Sequence, residues 1–183
     1  MKSPKYNIND FLPSSVDIAN GKQAAKLVTD LWEIIKLDGS EERPDSLLLW
    51  PEIILRDVVN FDNCMGNGFL VLLNYSDGPE IFVRALRALP EIHAPIQYSL
   101  LLKAEEILEK HGLQFPDTVP DEVDLSWREE IAELLVTASE EIEEETSILD
   151  SQYWNADDAP DHNIHIALLN FLEEHKDELT CRK

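Results

Sequence analysis

The glutamates in the last third of the chain are the residues whose type and spacing most suggest a chemical role. Glu129, Glu133, Glu140 and Glu144 follow one another at intervals of four, seven and four residues, which places them on one face of an α-helix. Ionised carboxylates accept hydrogen bonds and carry negative charge, so such a face suits a cationic partner. Four more glutamates flank the row: Glu130, Glu141, Glu143 and Glu145.

Like charges four residues apart make this helix unusual. Solvated helices commonly pair Glu with Lys four residues later; each such pair stabilises the helix by about 0.2–0.5 kcal/mol, and like charges destabilise it by a similar amount. Arg128 is the only basic residue between His111 and His162. The sequence therefore predicts an arrangement that destabilises the fold without an internal benefit. The like-charged pairs are Glu129 with Glu133, Glu140 with Glu144, and Glu141 with Glu145.

The acidic row has two interpretations. In the first it is a solubility face, because high net charge keeps a protein dispersed. In the second it is an electrostatic decoy that imitates the phosphates of DNA. The stretch from Glu129 to Glu144 spans roughly 22 Å of helix, over which duplex DNA presents about 13 phosphates. To approach that number, further acids would have to share the face: Asp121, Glu122, Asp124, Asp150, Asp157, Asp158 and Asp161.

His162 and His165 form a second candidate site. They stand three residues apart, close in sequence to Asp157, Asp158 and Asp161, and imidazoles with a carboxylate suit zinc or another transition metal. A metal-dependent enzyme is therefore one alternative. No HExxH motif or cysteine ligand accompanies the histidines, and no Ser-His-Asp or Cys-His signature occurs. We predict a non-enzymatic protein without a metal or cofactor.

The charge of the whole chain limits the classes of partner. The 183 residues include 15 Lys and Arg against 37 Asp and Glu, which gives a net charge of -22. Residues 113–183 hold 4 of the basic and 20 of the acidic residues, so the excess is concentrated in this region. Nucleic acids and anionic membranes should repel such a chain, whereas a basic protein should attract it.

Cysteines and hydropathy indicate a compartment. Cys64 and Cys181 are far apart and show neither a CxxC spacing nor a disulfide framework, which fits a reducing environment. The N-terminal residues contain no apolar leader segment, and no apolar run reaches the length of a membrane span. We expect a cytoplasmic protein.

Apolar residues recur with a helical period in six stretches, which predicts an all-α fold that positions the acidic row. Pro79 and Pro95 stand where two helices begin, and Gly112 stands where the second ends. Ser126 and Glu129 fit the capping box of the acidic helix, and residues 147–161, with an Asn-Ala-Asp-Asp-Ala-Pro turn, follow that helix. The inward residues predicted for the other helices include Ala24, Leu27, Val28, Leu31, Ile34, Ile35, Ile54, Leu55, Val58, Ile81, Phe82, Leu86, Ile96, Leu100, Ala104, Ile164 and Leu168.

Aromatic residues at helical spacing are expected in the core. Trp32, Trp50 and Phe61 lie on or beside the apolar stripes of the first two predicted helices. Large aromatic side chains bury much surface and are usually found inside a protein. We therefore assign these three residues to packing.

The segment Gly66-Asn67-Gly68-Phe69 predicts a tight turn into a short helix, because it lacks the Lys-Ser or Lys-Thr of a phosphate-binding loop. With Leu72-Leu73, Ser76, Gly78 and Ile92-His93-Ala94, it resembles a small acidic all-helical bacterial family that includes a DNA-mimic protein. That family typically reads Asn-Gly-Gly-Phe, two variable residues, two aromatics, Tyr-Asn, two small residues and glycine. The resemblance covers roughly residues 50 to 110 and implies an all-helical fold and DNA mimicry through surface acids.

These features together predict one all-α, bundle-like domain of about seven or eight helices in residues 14–183, after a flexible arm in residues 1–13. The leading hypothesis is a DNA mimic that binds a basic DNA-binding protein such as a transcriptional regulator, without binding nucleic acid or membranes itself. An immunity protein that neutralises a basic toxin or nuclease is an alternative, and a homodimer is compatible with either. The predicted partner-binding residues are Glu129, Glu130, Glu133, Glu140, Glu141, Glu143, Glu144, Glu145, Asp150, Asp157 and Asp158.

Overall fold

The computed structural model describes Ile8, Leu12 and residues 21–36, 48–115 and 125–180. For residues 36, 125–128, 138, 139, 157, 160 and 180 it describes the backbone alone. Every regular element in these ranges is helical, so the predicted all-α class is confirmed. The elements are α1 (Gly21–Lys36), α2 (Trp50–Met65), α3 (Phe69–Asn74), α4 (Gly78–Glu91), α5 (Pro95–Lys110), α6 (Leu125–Asp157), a 3₁₀ helix (Pro160–His162), α7 (Ile164–Glu174) and α8 (Lys176–Thr180).

Proline and glycine delimit the central helices as their chemistry predicts. Pro79 is the second residue of α4 and Pro95 is the first residue of α5, where a missing N–H removes no intrahelical hydrogen bond. Gly112 follows α5 with a φ of 99°, a left-handed conformation that favours glycine at a helix end. The predicted starts of both helices and the predicted end of the second are therefore confirmed.

The core lies around α2, which packs against α1, α3, α4 and α7. Phe61, Phe69 and Phe82 are its largest fully buried side chains. Ile8 and Leu12, in the predicted N-terminal arm, are also buried there, while the other residues of that arm lie outside the described ranges. Because α2 contacts four other helices on several sides, its apolar surface is broad.

A buried carboxylate connects α2 to α4. The side chain of Asp57 is fully buried and lies 2.7 Å from Arg56 Nη2, 3.0 Å from Arg87 Nη2 and 3.9 Å from Arg84 Nη1. A buried ion is tolerated only when it is paired and hydrogen-bonded, and Asp57 meets that condition with arginines from both helices. The two helices are therefore held at one relative register by charge as well as by packing.

The same network explains why one predicted core residue is outside. Trp32 and Phe61 are buried as predicted, but Trp50 is 38% exposed, so its assignment to the core is wrong. Its ring lies under the guanidinium of Arg87, 5.3 Å from ring centroid to Cζ. A cation stacks on an indole face without burying it completely, and this contact places Trp50 at the edge of the α2–α4 interface.

The acidic helix is longer than the sequence predicted. We expected it to end before residue 147, whereas α6 continues to Asp157. Leu149, Tyr153 and Ala156 are buried and extend its inner stripe, so packing carries the helix through a polar stretch. The side chain of Ser126, in the predicted capping box, lies outside the described part. None of the described helices is both long and apolar enough to cross a membrane.

We predict that Asp57→Ala destabilises the fold strongly, because it leaves three partly buried guanidinium groups without their shared carboxylate. The loss should be about 3 kcal/mol, the lower end for breaking a buried ion pair, since the arginine side chains still reach solvent. Urea denaturation measures it, with Asp30→Ala on the exposed side of α1 as the matched control. Equal midpoints for the two variants would contradict a structural role for the network.

Candidate interaction surface

The position of α6 is determined by its inner face. Ile131, Leu135, Ile142, Leu149 and Tyr153 are buried and recur with a helical period. Through this face α6 packs against α5 and α3. A helix of 33 residues is roughly 50 Å long, and on its opposite face the residues with described side chains are exposed from Glu129 to Asn155.

The predicted glutamate row lies on that solvent face. Seven of the eight glutamates of α6 are exposed and are therefore accessible to a partner. Six of these glutamates form no ion pair with any residue whose side chain the structure describes. The seven exposed residues are Glu129, Glu130, Glu133, Glu140, Glu141, Glu143 and Glu144, and Glu141 alone has a described imidazole nearby, that of His111.

Glu145 is the exception to this pattern. Its carboxylate accepts hydrogen bonds from Lys110 Nζ at 2.7 and 2.9 Å and lies 3.2 Å from His111 Nε2, and these two residues lower its pKa below the usual 4.5. The Glu141 carboxylate lies 3.9 Å from His111 Nδ1. The prediction that these glutamates bring no internal benefit is therefore wrong for Glu145, because α5 supplies Lys110, which is distant in sequence.

Asp150 has a structural contact of its own. Its side chain is half-buried, and Oδ1 accepts a hydrogen bond from the backbone N–H of Phe69 at 2.9 Å, which joins α6 to the first turn of α3. Burial raises the pKa of Asp150 above the usual 3.8, although the Phe69 bond acts in the opposite direction. A Cβ on Gly68, whose φ is 94°, would stand 2.6 Å from Oδ2, so this contact requires glycine there.

The remaining predicted acids are dispersed or undescribed. Asp158 and Asp161 are exposed beyond the C-terminal end of α6. The side chain of Asp157 lies outside the described part, as do Asp121, Glu122 and Asp124 in full. The described acidic surface is therefore the row on α6, with Asp158 at its far end.

The two candidate histidines have different environments. His162 is exposed, and its backbone carbonyl accepts a hydrogen bond from the buried Gln97. His165 is turned inward, with Nε2 3.2 Å from Asp62 Oδ2, while the hydroxyl of Tyr153 donates to Asp62 Oδ1 at 2.7 Å. In the described ranges no group of three His, Cys, Asp or Glu residues could hold a metal ion.

Exposed apolar side chains on α6 were missed by the sequence analysis. Val136 is 84% exposed within the acidic row, and Ile148 and Trp154 are exposed further along. Val136 comes three residues after Glu133 and four before Glu140, so the helical period itself puts it on the acidic face. That spacing is the signal that could have found it.

Known proteins supply no analogy for this surface. Comparison with protein-family models, with curated proteins and with solved structures finds no match for the chain. The function must therefore be argued from the geometry and charge of the surface itself.

We predict that Asp150→Asn raises stability at neutral pH. Asparagine can still accept the Phe69 hydrogen bond and carries no charge that burial disfavours. Because the folded-state pKa is raised, the wild-type carboxyl contributes most to stability below pH 3.8, and this contribution is lost as pH rises through the raised pKa.

Urea denaturation of both proteins should therefore show an advantage of Asp150→Asn at pH 7 that shrinks as the pH falls toward 3.8. Asp158→Asn, at an exposed position, is the control and should show little change. A less stable Asp150→Asn protein at pH 7 would mean that the ionised carboxylate is needed at α3.

We also predict that chelation leaves the protein unchanged. EDTA should shift neither the thermal midpoint nor the binding of a partner, because His165 is engaged with Asp62 and the described residues contain no group of three possible metal ligands. Differential scanning calorimetry before and after EDTA measures the effect. A loss of stability that zinc or manganese restores would instead support a metal site.

Proposed function

We propose that this protein is a non-enzymatic acidic interaction protein that acts as a DNA mimic and binds the DNA-binding surface of a basic protein such as a transcriptional regulator. The observation that carries the proposal is the solvent face of α6, where six exposed glutamates have no described cationic partner. A binding face for cations requires such unneutralised carboxylates, since internally paired ones offer little to a partner.

The spacing of these charges supports mimicry. The exposed glutamates from Glu129 to Glu144 number seven, along roughly 22 Å of a single helix. Duplex DNA presents about 13 phosphates over that length, of which a protein on one side faces roughly half. A site arranged for phosphates would thus meet a similar number of negative charges on α6.

The exposure of Val136 argues against a face that serves solubility alone. An apolar side chain that is 84% exposed between Glu133 and Glu140 does not help to keep a protein dispersed. Protein interfaces commonly place apolar atoms at the centre and polar groups around them. Val136 among the glutamates has that arrangement, and it would add contact area to an electrostatic attraction.

The charge of the whole chain supports the same class of partner. A net charge of -22 produces a negative field that speeds the approach of a basic protein and weakens as salt increases. Lys and Arg residues that hold DNA phosphates are already arranged to meet several negative charges. We therefore expect fast, salt-sensitive association with a DNA-binding surface.

The acidic row can be tested by neutralising four glutamates at once. Glu133, Glu140, Glu141 and Glu144 changed together to Gln should weaken binding to the partner by at least tenfold, whereas single changes should have small effects, because the row acts as a field. The variant should still fold and should be slightly more stable than the wild type, because the repulsion between Glu140 and Glu144 is relieved. Titration calorimetry at two salt concentrations measures the binding.

The matched control removes the same number of charges elsewhere: Glu33, Glu91, Glu106 and Glu109 changed to Gln, all exposed on other helices. Both variants have the same net charge, so only a local role of α6 separates them. Equal losses of affinity would indicate a general charge effect, and full affinity in the α6 variant would leave solubility as its role.

Competition with DNA distinguishes mimicry from other acidic binding. A partner captured from cell lysate at low salt and released at high salt should, when purified, bind either duplex DNA or this protein but not both. Simultaneous binding would overturn mimicry. A partner that is a nuclease inhibited without displacement of DNA would favour the immunity alternative.

A further inference from the structure

Two exposed aromatic side chains lie beside the turn that precedes α3. Trp154 on α6 is 47% exposed, and Tyr75, directly after α3, is 41% exposed. We call Tyr75 and Trp154 the turn patch. Single exposed apolar residues are common, but two exposed aromatic rings beside one short turn call for an explanation.

Hydrogen bonds hold both rings to the same short segment. Trp154 Nε1–H donates to the carbonyl of Met65 at 3.2 Å, and Asn67 Nδ2 donates to the hydroxyl of Tyr75 at 3.3 Å. The hydrogen-bond partners of the two rings are therefore only two residues apart in the chain. Rings positioned in advance lose little conformational entropy on binding, which is why Trp and Tyr are frequent at the centres of interfaces.

Carboxylates surround the turn patch. Asp77 is exposed two residues after Tyr75, and Asp158 is exposed one helical turn after Trp154. Asp150 meets the backbone of Phe69 beside the same turn, and Glu143 lies close enough to raise the pKa of Asp150. No described ion pair neutralises Asp77 or Asp158. The aromatic faces therefore lie in a negative field.

We infer that the turn patch is a docking site for an arginine side chain of the basic partner, held over the rings of Trp154 and Tyr75 and paired with neighbouring carboxylates. This inference rests on the proposed function. It adds to the electrostatic attraction of the acidic row one specific contact with an arginine side chain, which we call the anchor. A guanidinium is attracted to the π-face of Trp or Tyr, and its planar donors can also bind a carboxylate.

Charge determines which group is expected to bind at the turn patch. A second copy of this chain would bring another net charge of -22 to a patch already flanked by acids, and the two copies would repel each other. A lysine would meet the same field, but its compact, strongly hydrated ammonium stacks less well than a guanidinium. An arginine combines positive charge with a flat surface, and both features match the patch.

The probe is a blocked nonapeptide that contains three arginines, compared with peptides in which lysine or citrulline replaces arginine. Titration into the ¹⁵N-labelled full chain should shift the indole N–H signal of Trp154, which the Trp154→Leu spectrum identifies. The arginine peptide should bind more tightly than the lysine peptide. Citrulline is flat but uncharged, so equal binding of the citrulline peptide would overturn a charge-based anchor.

Leucine substitutions remove the π-face while keeping an apolar side chain. Trp154→Leu and Tyr75→Leu should each lower the affinity for the arginine peptide by about 3- to 30-fold, the range expected for one cation–π contact. Tyr75→Phe retains the ring and should bind almost as wild type, which separates recognition from the lost hydroxyl bond. Trp50→Leu, at an exposed tryptophan on α2 far along the helix from this turn, is the matched control. A Trp154→Leu protein that binds like Trp50→Leu would overturn the inference.

The acidic-row variant separates this inference from the proposed function. If the four-glutamine variant loses the peptide and Trp154→Leu retains it, the anchor is refuted and the acidic face stands. If the results are reversed, the anchor stands and the role of the glutamate row is refuted. Sedimentation velocity tests the other occupant, since a dimer that Trp154→Leu converts to monomer would show that the patch binds a second copy and would overturn the arginine site.

Discussion

The burial of one long apolar stripe is the constraint on which the surface of this protein depends. The inner face of α6, from Ile131 to Tyr153, packs against α5 and α3. Because successive residues of a helix point in directions 100° apart, burying this stripe turns the glutamates from Glu129 to Glu144 outward. The acidic face is thus a geometric consequence of hydrophobic packing, and the repulsion within it is offset by that packing.

Ion pairs elsewhere in the fold also leave most of the glutamates on the solvent face of α6 without a described ionic partner. Arg56, Arg84 and Arg87 are drawn to the buried Asp57 between α2 and α4, and Lys110 binds Glu145 at the edge of α6. Basic residues committed to such contacts cannot neutralise the glutamate row. These four basic residues are therefore engaged away from the glutamate row, and α6 presents negative charge, which favours a cationic partner.

The contact between Asp150 and Phe69 links the two parts of the proposed interface. It ties α6 to the turn before α3, and Gly68 permits the close approach because it has no Cβ. Trp154 and Tyr75 then lie beside the same turn, while the glutamate row extends away along α6. Asp150, a half-buried acid that the sequence assigns to the charged surface, thus serves to position that surface.

The sequence by itself determined the helical class, the starts of α4 and α5 and the outward direction of the glutamates, because these depend on local periodicity and on proline and glycine. Pro95, Gly112 and the row from Glu129 to Glu144 are examples. Only the tertiary structure decided which acids are engaged, that Trp50 is at an edge, that α6 continues to Asp157 and that His165 meets Asp62. Each of these depends on a residue far away in the chain, such as Lys110 for Glu145 or Phe69 for Asp150, and a local pattern contains no information about such contacts.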